Sequence, residues 1–187
     1  MALKDRKIQR KRQLLSRLFF SLFGIIPPFL ACAQFTKTAS CQSPSFDKKV
    51  DSYLSYSAPV VSVKDAFTKK SVYVFLDARE VEEYNVSHIP EARFIGYKDF
   101  NIKGISDIAK DSKIVVYCSI GYRSEKIATK LRSAGYKNVS NLYGSIFEWA
   151  NMGYPLSDKK GLPTSQVHTY NKKWSQWVTG DGLKKTW

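Results

Sequence analysis

Apolar residues fall in short runs along this chain, separated by polar stretches of helical period. Val72-Tyr73-Val74-Phe75-Leu76 is one unbroken run, and Ile114-Val115-Val116-Tyr117 closes a second that begins at Lys113. Runs of this length predict strands buried on both faces. Residues 59–63, 92–96 and 139–143 predict three shorter strands. Between them lie helical signals. Ser62 and Asp65 have the spacing of a capping box, which opens a short helix through Phe67. Residues 79–84 predict one or two helical turns. Residues 124–134 predict a longer helix with Ile127, Ala128 and Leu131 on one face and Gly135 as its left-handed stop. Residues 145–151 predict another. Strands alternating with helices define an α/β fold with a central, mainly parallel sheet and helices on both faces.

The flanks are different. Residues 34–57 are polar, rich in Ser, Thr and Lys, and lack a sustained period, which predicts a linker. Residues 158–187 form an aromatic and basic tail. Tyr170, Trp174 and Trp177 have the spacing of one helical face, and that face is expected to pack on the domain. Aromatics interleaved with Lys172 and Lys173 also suggest a nucleic-acid surface, but the periodicity favours packing.

Charge changes the picture at the N-terminus. The 187 residues carry a net +14. Residues 1–33 hold seven Lys or Arg (Lys4, Arg6, Lys7, Arg10, Lys11, Arg12, Arg17) against a single acid, Asp5. An apolar run from Leu18 to Ala33, broken by Pro27-Pro28, follows these bases and is short for a membrane span. This pattern predicts an export signal. Ala31-Cys32-Ala33 fits cleavage before Gln34, Cys32 allows a lipoprotein signal instead, and an uncleaved anchor is a third option. An exported, periplasmic or envelope-associated protein is expected. The remaining body is mildly basic, which suits small anions.

In open α/β sheets the ligand site lies beyond the carboxyl ends of the strands. Two motifs fall there. Asp77-Ala78-Arg79 follows one apolar run. Cys118-Ser119-Ile120-Gly121-Tyr122-Arg123-Ser124 follows another and enters the long helix. Successive backbone N–H groups in a tight loop form an anion nest, and a helix N-terminus adds partial positive charge. Both favour a thiolate, and such settings lower a cysteine pKa from ~8.5 to roughly 3.5–7.5. Gly121 lets the loop turn closely, and Arg123 adds a fixed charge. An isolated cysteine at a strand end is otherwise a small buried hydrophobe. Asp77 is otherwise a cap for the short helix after it.

Residues from about 59 to 156 resemble a single rhodanese domain. The resemblance is carried by "VFLDAREVEEYNVSHIPEARFI", "IVVYCSIGYRSEKIATKLRSAGYKNVSNL" and "YGSIFEWANMGYPL". Tyr143 departs from the pattern, since many members have a second glycine before Gly144. The resemblance places the domain at 58–157 and implies a sulfurtransferase. Cys118 is then the catalytic nucleophile and carries a persulfide. Ser119, Ile120, Gly121, Tyr122 and Arg123 bind the substrate, and Asp77, Arg79 and Ser124 support the site. Partners are a small anionic sulfur donor such as thiosulfate and a thiol or cyanide acceptor. No cofactor, metal or nucleic acid is implied, and membrane contact is expected only through an N-terminal lipid or anchor. His88, in the His-Ile-Pro segment, is expected to be structural and to bond a neighbouring loop. A thiol phosphatase is the competing enzyme, but such enzymes place Arg six residues after Cys and here it is five. A non-enzymatic sulfur carrier or docking module is the other alternative.

Overall fold

The computed structural model describes residues 34–187. The expected export signal, with Cys32, lies outside the described residues. Among the described residues no helix is long and apolar enough to cross a membrane.

In chain order the elements are α1 (Pro44–Asp51), β1 (Val60–Val61), α2 (Val63–Thr68), β2 (Val74–Asp77), α3 (Val81–Val86), β3 (Arg93–Phe94), β4 (Lys113–Tyr117), α4 (Tyr122–Ser133), β5 (Asn138–Leu142), α5 (Ser145–Asn151), β6 (Gln166–His168) and β7 (Lys184–Thr186). Short 3-10 turns occur at Lys70–Val72, Ile102–Ile105 and Trp174–Trp177. Five strands form one sheet in the order β1-β5-β4-β2-β3, and every pairing in it is parallel.

The apolar run of β4 shows why both faces must be covered. Ile114, Val115, Val116 and Tyr117 are all buried. Side chains alternate across a strand. Ile114 and Val116 join Ile127, Ala128 and Leu131 of α4 in one core. Val115 and Tyr117 join Phe147 and Trp149 of α5 in the other.

Several boundaries differ from the sequence pattern. Val72 belongs to the 3-10 turn and is exposed, so β2 begins at Val74 and runs on to Asp77. The apolar count recognises burial but not where the chain turns. β1 is cut to two residues because Ser62 leaves the strand to cap α2, its Oγ accepting from the Asp65 N–H at 3.0 Å. α4 starts at Tyr122, two residues before the expected start, because Gly121 takes the N-cap position.

The linker expected at 34–57 contains α1. Ser43 caps it, Pro44 opens it, and Phe46 and Val50 are buried in the core with Trp149. An eight-residue helix with only two apolar anchors leaves little periodic signal. The helical face expected in the tail is also corrected. The tail is a two-stranded parallel ribbon, β6 and β7, with the 3-10 turn of Trp174–Trp177 between them. Tyr170 stands apart with φ +66°. The tail does pack on the domain: Val167 and Val178 are fully buried in the core, and Trp174 and Trp177 lie against it. The Trp177 ring stacks on Phe46 of α1 at 5.6 Å.

Candidate active site

Cys118 follows β4 directly. Its backbone N–H donates to Ser145 Oγ at 3.1 Å, and Ser145 Oγ donates to the Leu142 carbonyl at 3.0 Å. The start of α5 thereby pins the start of the loop. Gly144 must be glycine here. Its φ is +73°, and a Cβ would meet Cys41 Sγ and Glu148 Cβ at 2.7 Å. At the other end of the loop Ser124 Oγ donates to Asn141 Oδ1 at 2.6 Å, and Asn141 Nδ2 donates to the Gly121 carbonyl at 3.0 Å. Gly121 has φ +121°, a left-handed value that lets its N–H turn back to Cys118 Sγ at 3.2 Å.

Burial of the thiol alone would raise its pKa. The Arg123 charge and the polar groups of Ser124 and Gly121 outweigh burial and hold Cys118 below the ordinary thiol value. The other described cysteine behaves in the opposite way. Burial first, then the Glu148 and Asp47 charges, push the Cys41 thiol far up. Cys41 is a packed small residue, and Cys118 is the poised one.

Arg123 is not free. Its guanidinium donates to both oxygens of Glu83, at 2.6 and 2.8 Å, and to Ser119 Oγ at 3.0 Å. Ser119 Oγ in turn donates to Glu83 Oε1 at 3.1 Å. Burial opposes ionisation of Glu83, but its Arg123 partner prevails and keeps the carboxyl below its usual value. Sequence reading missed Glu83. It sits in an acidic run, Glu80-Val81-Glu82-Glu83, in which only the helix phase distinguishes the buried Glu83 from the exposed Glu82.

Asp77 and Arg79 are both fully buried and form an ion pair at 2.7 Å. Arg79 also donates to the Ser87 carbonyl at 2.6 Å. These two residues tie the end of β2 to the end of α3, the helix that carries Glu83, and they do not line the cavity. The cap of α3 is Glu80, which shares a capping box with Glu83, so Asp77 is not the cap. The His88 ring bonds the Tyr84 carbonyl of α3 at 3.1 Å, and the His88 backbone bridges to Ser157.

Cys118, Ser119, Ile120, Tyr122 and Arg123 line a cavity of about 350 Å³. Gly121 does not reach its wall and acts through its N–H. The remaining wall comes from Tyr53, Glu80, Tyr97, Lys98, Tyr170 and Trp174. Tyr53, Tyr170 and Trp174 belong to the flanks, where sequence reading placed no site residue.

A parallel α/β sheet that presents one buried cysteine in a short loop opening a helix is the arrangement of a thiol-loop domain of the rhodanese type. The model of the rhodanese-like domain matches residues 60–152. A sulfurtransferase of Allochromatium vinosum is 34% identical over 88 residues, covering 47% of this chain and 81% of that protein. A tRNA uridine(34) hydroxylase of Sodalis glossinidius is 31% identical over 116 residues, but the chain spans only 32% of that protein's length. A solved rhodanese-like domain from Anabaena sp. is 26% identical with a TM-score of 0.50, covering 54% of this chain and 79% of that one. The chain belongs to the rhodanese family.

Proposed function

We propose that this protein is a sulfurtransferase that accepts sulfane sulfur from a donor such as thiosulfate and passes it to a thiophilic acceptor. The observation that carries this reading is the setting of Cys118, with a depressed thiol, a backbone N–H turned onto Sγ and a cation at the cavity wall. The Cys118 thiolate attacks the outer sulfur of thiosulfate. That S–S bond breaks as the new one forms, sulfite leaves with the electron pair, and a persulfide remains on Cys118. The Gly121 N–H and the N-terminus of α4 stabilise the anionic persulfide. Arg123, fixed by Glu83 and Ser119, offers its charge to the sulfonate of the donor.

Glu83 holds the guanidinium fork in place and neutralises part of its charge. Arg123 is therefore a positioned cation of moderate strength, suited to a donor that must bind and a sulfite that must leave. The A. vinosum sulfurtransferase, matched over most of its length, supports the reading. The hydroxylases share with this chain only a third of their length or less in the first two matches.

The deciding experiment incubates the protein with thiosulfate, mercaptopyruvate and a phosphate ester in parallel. Intact mass spectrometry should find one added sulfur with a sulfur donor, and Cys118→Ser should abolish it. Turnover of the phosphate ester with no persulfide from any donor overturns the proposal in favour of a phosphatase.

A further inference from the structure

The cavity that contains Cys118 is walled by five aromatic rings, Tyr53, Tyr97, Tyr122, Tyr170 and Trp174. Three of them come from outside the matched domain, which ends at residue 152. Tyr53 follows α1, and Tyr170 and Trp174 belong to the tail. Three of the rings touch one another through Tyr53. Tyr53 meets Trp174 edge-on at 5.5 Å and Tyr122 edge-on at 6.1 Å. Tyr53, Tyr122 and Tyr170 are nonetheless among the most exposed large apolar side chains of the described residues. Clustered exposed aromatics mark a binding surface.

The rings are backed by cations. Lys49 Nζ lies 4.9 Å from the Tyr53 ring and 5.7 Å from Trp174, Lys126 Nζ lies 4.3 Å from Tyr122, and the Arg123 guanidinium lies 5.7 Å from Tyr170. Lys98 is on the wall itself, where Glu80 is the acid. Tyr170 is also held in an unusual backbone state. At φ +66° a bulky residue is a genuine outlier. The Tyr170 N–H donates to His168 Nδ1 at 3.1 Å, and the Asn171 N–H to the Thr169 carbonyl at 2.7 Å. The tail bears this strain to set one ring opposite the Arg123 charge.

We propose that this aromatic sleeve selects the sulfur acceptor, an organic thiol with a flat apolar body and a carboxylate, over cyanide and other small inorganic ions. The proposal rests on the sulfurtransferase reading above. Size supports it: a cavity of about 350 Å³ falls in the range of organic-ligand sites, whereas cyanide fills little more than the ~30 Å³ of a water. Charge supports it as well, since Lys49, Lys98, Lys126 and Arg123 stand around the rings against two carboxylates, Glu80 and the Glu83 paired with Arg123, and the balance favours an anionic ligand. In the transfer, the acceptor thiol gives its proton to the outer sulfur of the anionic Cys118 persulfide, and the thiolate so formed attacks that sulfur. A new S–S bond forms on the acceptor, the Cys118 S–S bond breaks, and Cys118 departs as the thiolate. The product is the acceptor persulfide with its proton, and no further oxidant or reductant is needed.

The test uses 4-mercaptobenzoate, 2-mercaptoethanol and cyanide as acceptors, with wild type, Tyr170→Gly and Trp174→Leu. Glycine tolerates the backbone of residue 170, so the first variant removes a ring without adding strain. Intrinsic acceptor reactivity cancels in the wild-type-to-variant ratio. For 4-mercaptobenzoate, kcat/KM should fall roughly tenfold or more in each variant, while the value for cyanide changes much less. Equal losses for all three acceptors overturn the sleeve. Binding is followed separately, as saturable quenching of tryptophan fluorescence by 4-mercaptobenzoate before any sulfur is loaded. Quenching that does not saturate, or that Tyr170→Gly leaves unchanged, also overturns it. Saturable quenching that Tyr170→Gly weakens, in a protein that thiosulfate fails to load, overturns the sulfurtransferase reading and supports the ligand class proposed for the sleeve.

Discussion

Cys118 and Glu83 are coupled through one guanidinium. Arg123 lowers the thiol pKa, and Glu83 offsets part of that cation. The rate of persulfide formation should therefore fall as pH drops through a Cys118 pKa below the ~8.5 of a free thiol. Glu83→Gln removes the offsetting charge and should move that midpoint lower still. Arg123→Ala should move it up, since the cation is lost and the buried Glu83 carboxylate remains. A pH series of persulfide formation by mass spectrometry checks both directions, and shifts of the same sign in the two variants would refute the coupling.

Glu83 also carries a stability signature. Its folded pKa lies below the unfolded value near ~4.3, so its contribution is present above that value and is lost as pH falls through the folded one. The melting-temperature gap between wild type and Glu83→Gln should be widest above about pH 5 and shrink below about pH 4. The two described cysteines should separate in the same way. Iodoacetamide at neutral pH should label Cys118 and spare Cys41 in the folded protein, as read by peptide mapping.

At the level of elements, α1 explains the departure at Tyr143. This side chain is fully buried beyond β5, and its hydroxyl donates to the Asp47 carbonyl of α1 at 3.2 Å. At the position where the family resemblance leads to an expectation of glycine, this chain uses a large ring to anchor α1. Tyr143→Ala should therefore destabilise the fold by about 3 kcal/mol in a denaturant melt. Tyr143→Phe should cost about 1 kcal/mol, the worth of one hydrogen bond. The segment leading into α1 meets α5 through Glu148, which accepts from the Gln42 N–H at 2.6 Å while its buried Oε2 has no partner among the described residues. Burial raises the Glu148 pKa, so ionising it costs stability as pH rises through that value. Glu148→Gln keeps the Gln42 bond and removes the charge. It should raise the melting temperature at neutral pH by more than at pH 4.

Across the whole described molecule, the two flanks meet on one face of the sheet. Phe46 stacks on both Phe147 and Trp177, and Asn151 of α5 donates to the Trp177 carbonyl at 2.9 Å. Asn151 Oδ1 accepts from the Thr179 N–H at 2.7 Å. Deleting residues 160–187 should lower the melting temperature and open the cavity wall. Trp177→Ala alone should cost about 2 kcal/mol, below the range for a fully buried ring because Trp177 is only partly covered. A truncated protein that melts with the full chain and keeps its acceptor preference would show that the tail plays neither role.

The strand-and-helix alternation, the parallel sheet and the loop from Cys118 to Ser124 were legible in the sequence because each is a local signal. Apolar runs mark β2 and β4, periodicity marks α4, and glycine with cysteine marks the turn. What tertiary structure decided is what two distant segments do to one another. The pairing of Glu83 with Arg123 joins α3 to α4, and neither local pattern distinguishes a buried carboxylate from a solvated one. The helix in the supposed linker is held by Tyr143 and by Trp177 of the tail, not by its own periodicity. Tyr170 reads locally as one more position on a helical stripe. Only the fold gives it a left-handed backbone and brings it, with Tyr53 and Trp174, to the cavity that holds Cys118, because contacts across such sequence distances are fixed by packing and leave no trace in local spacing.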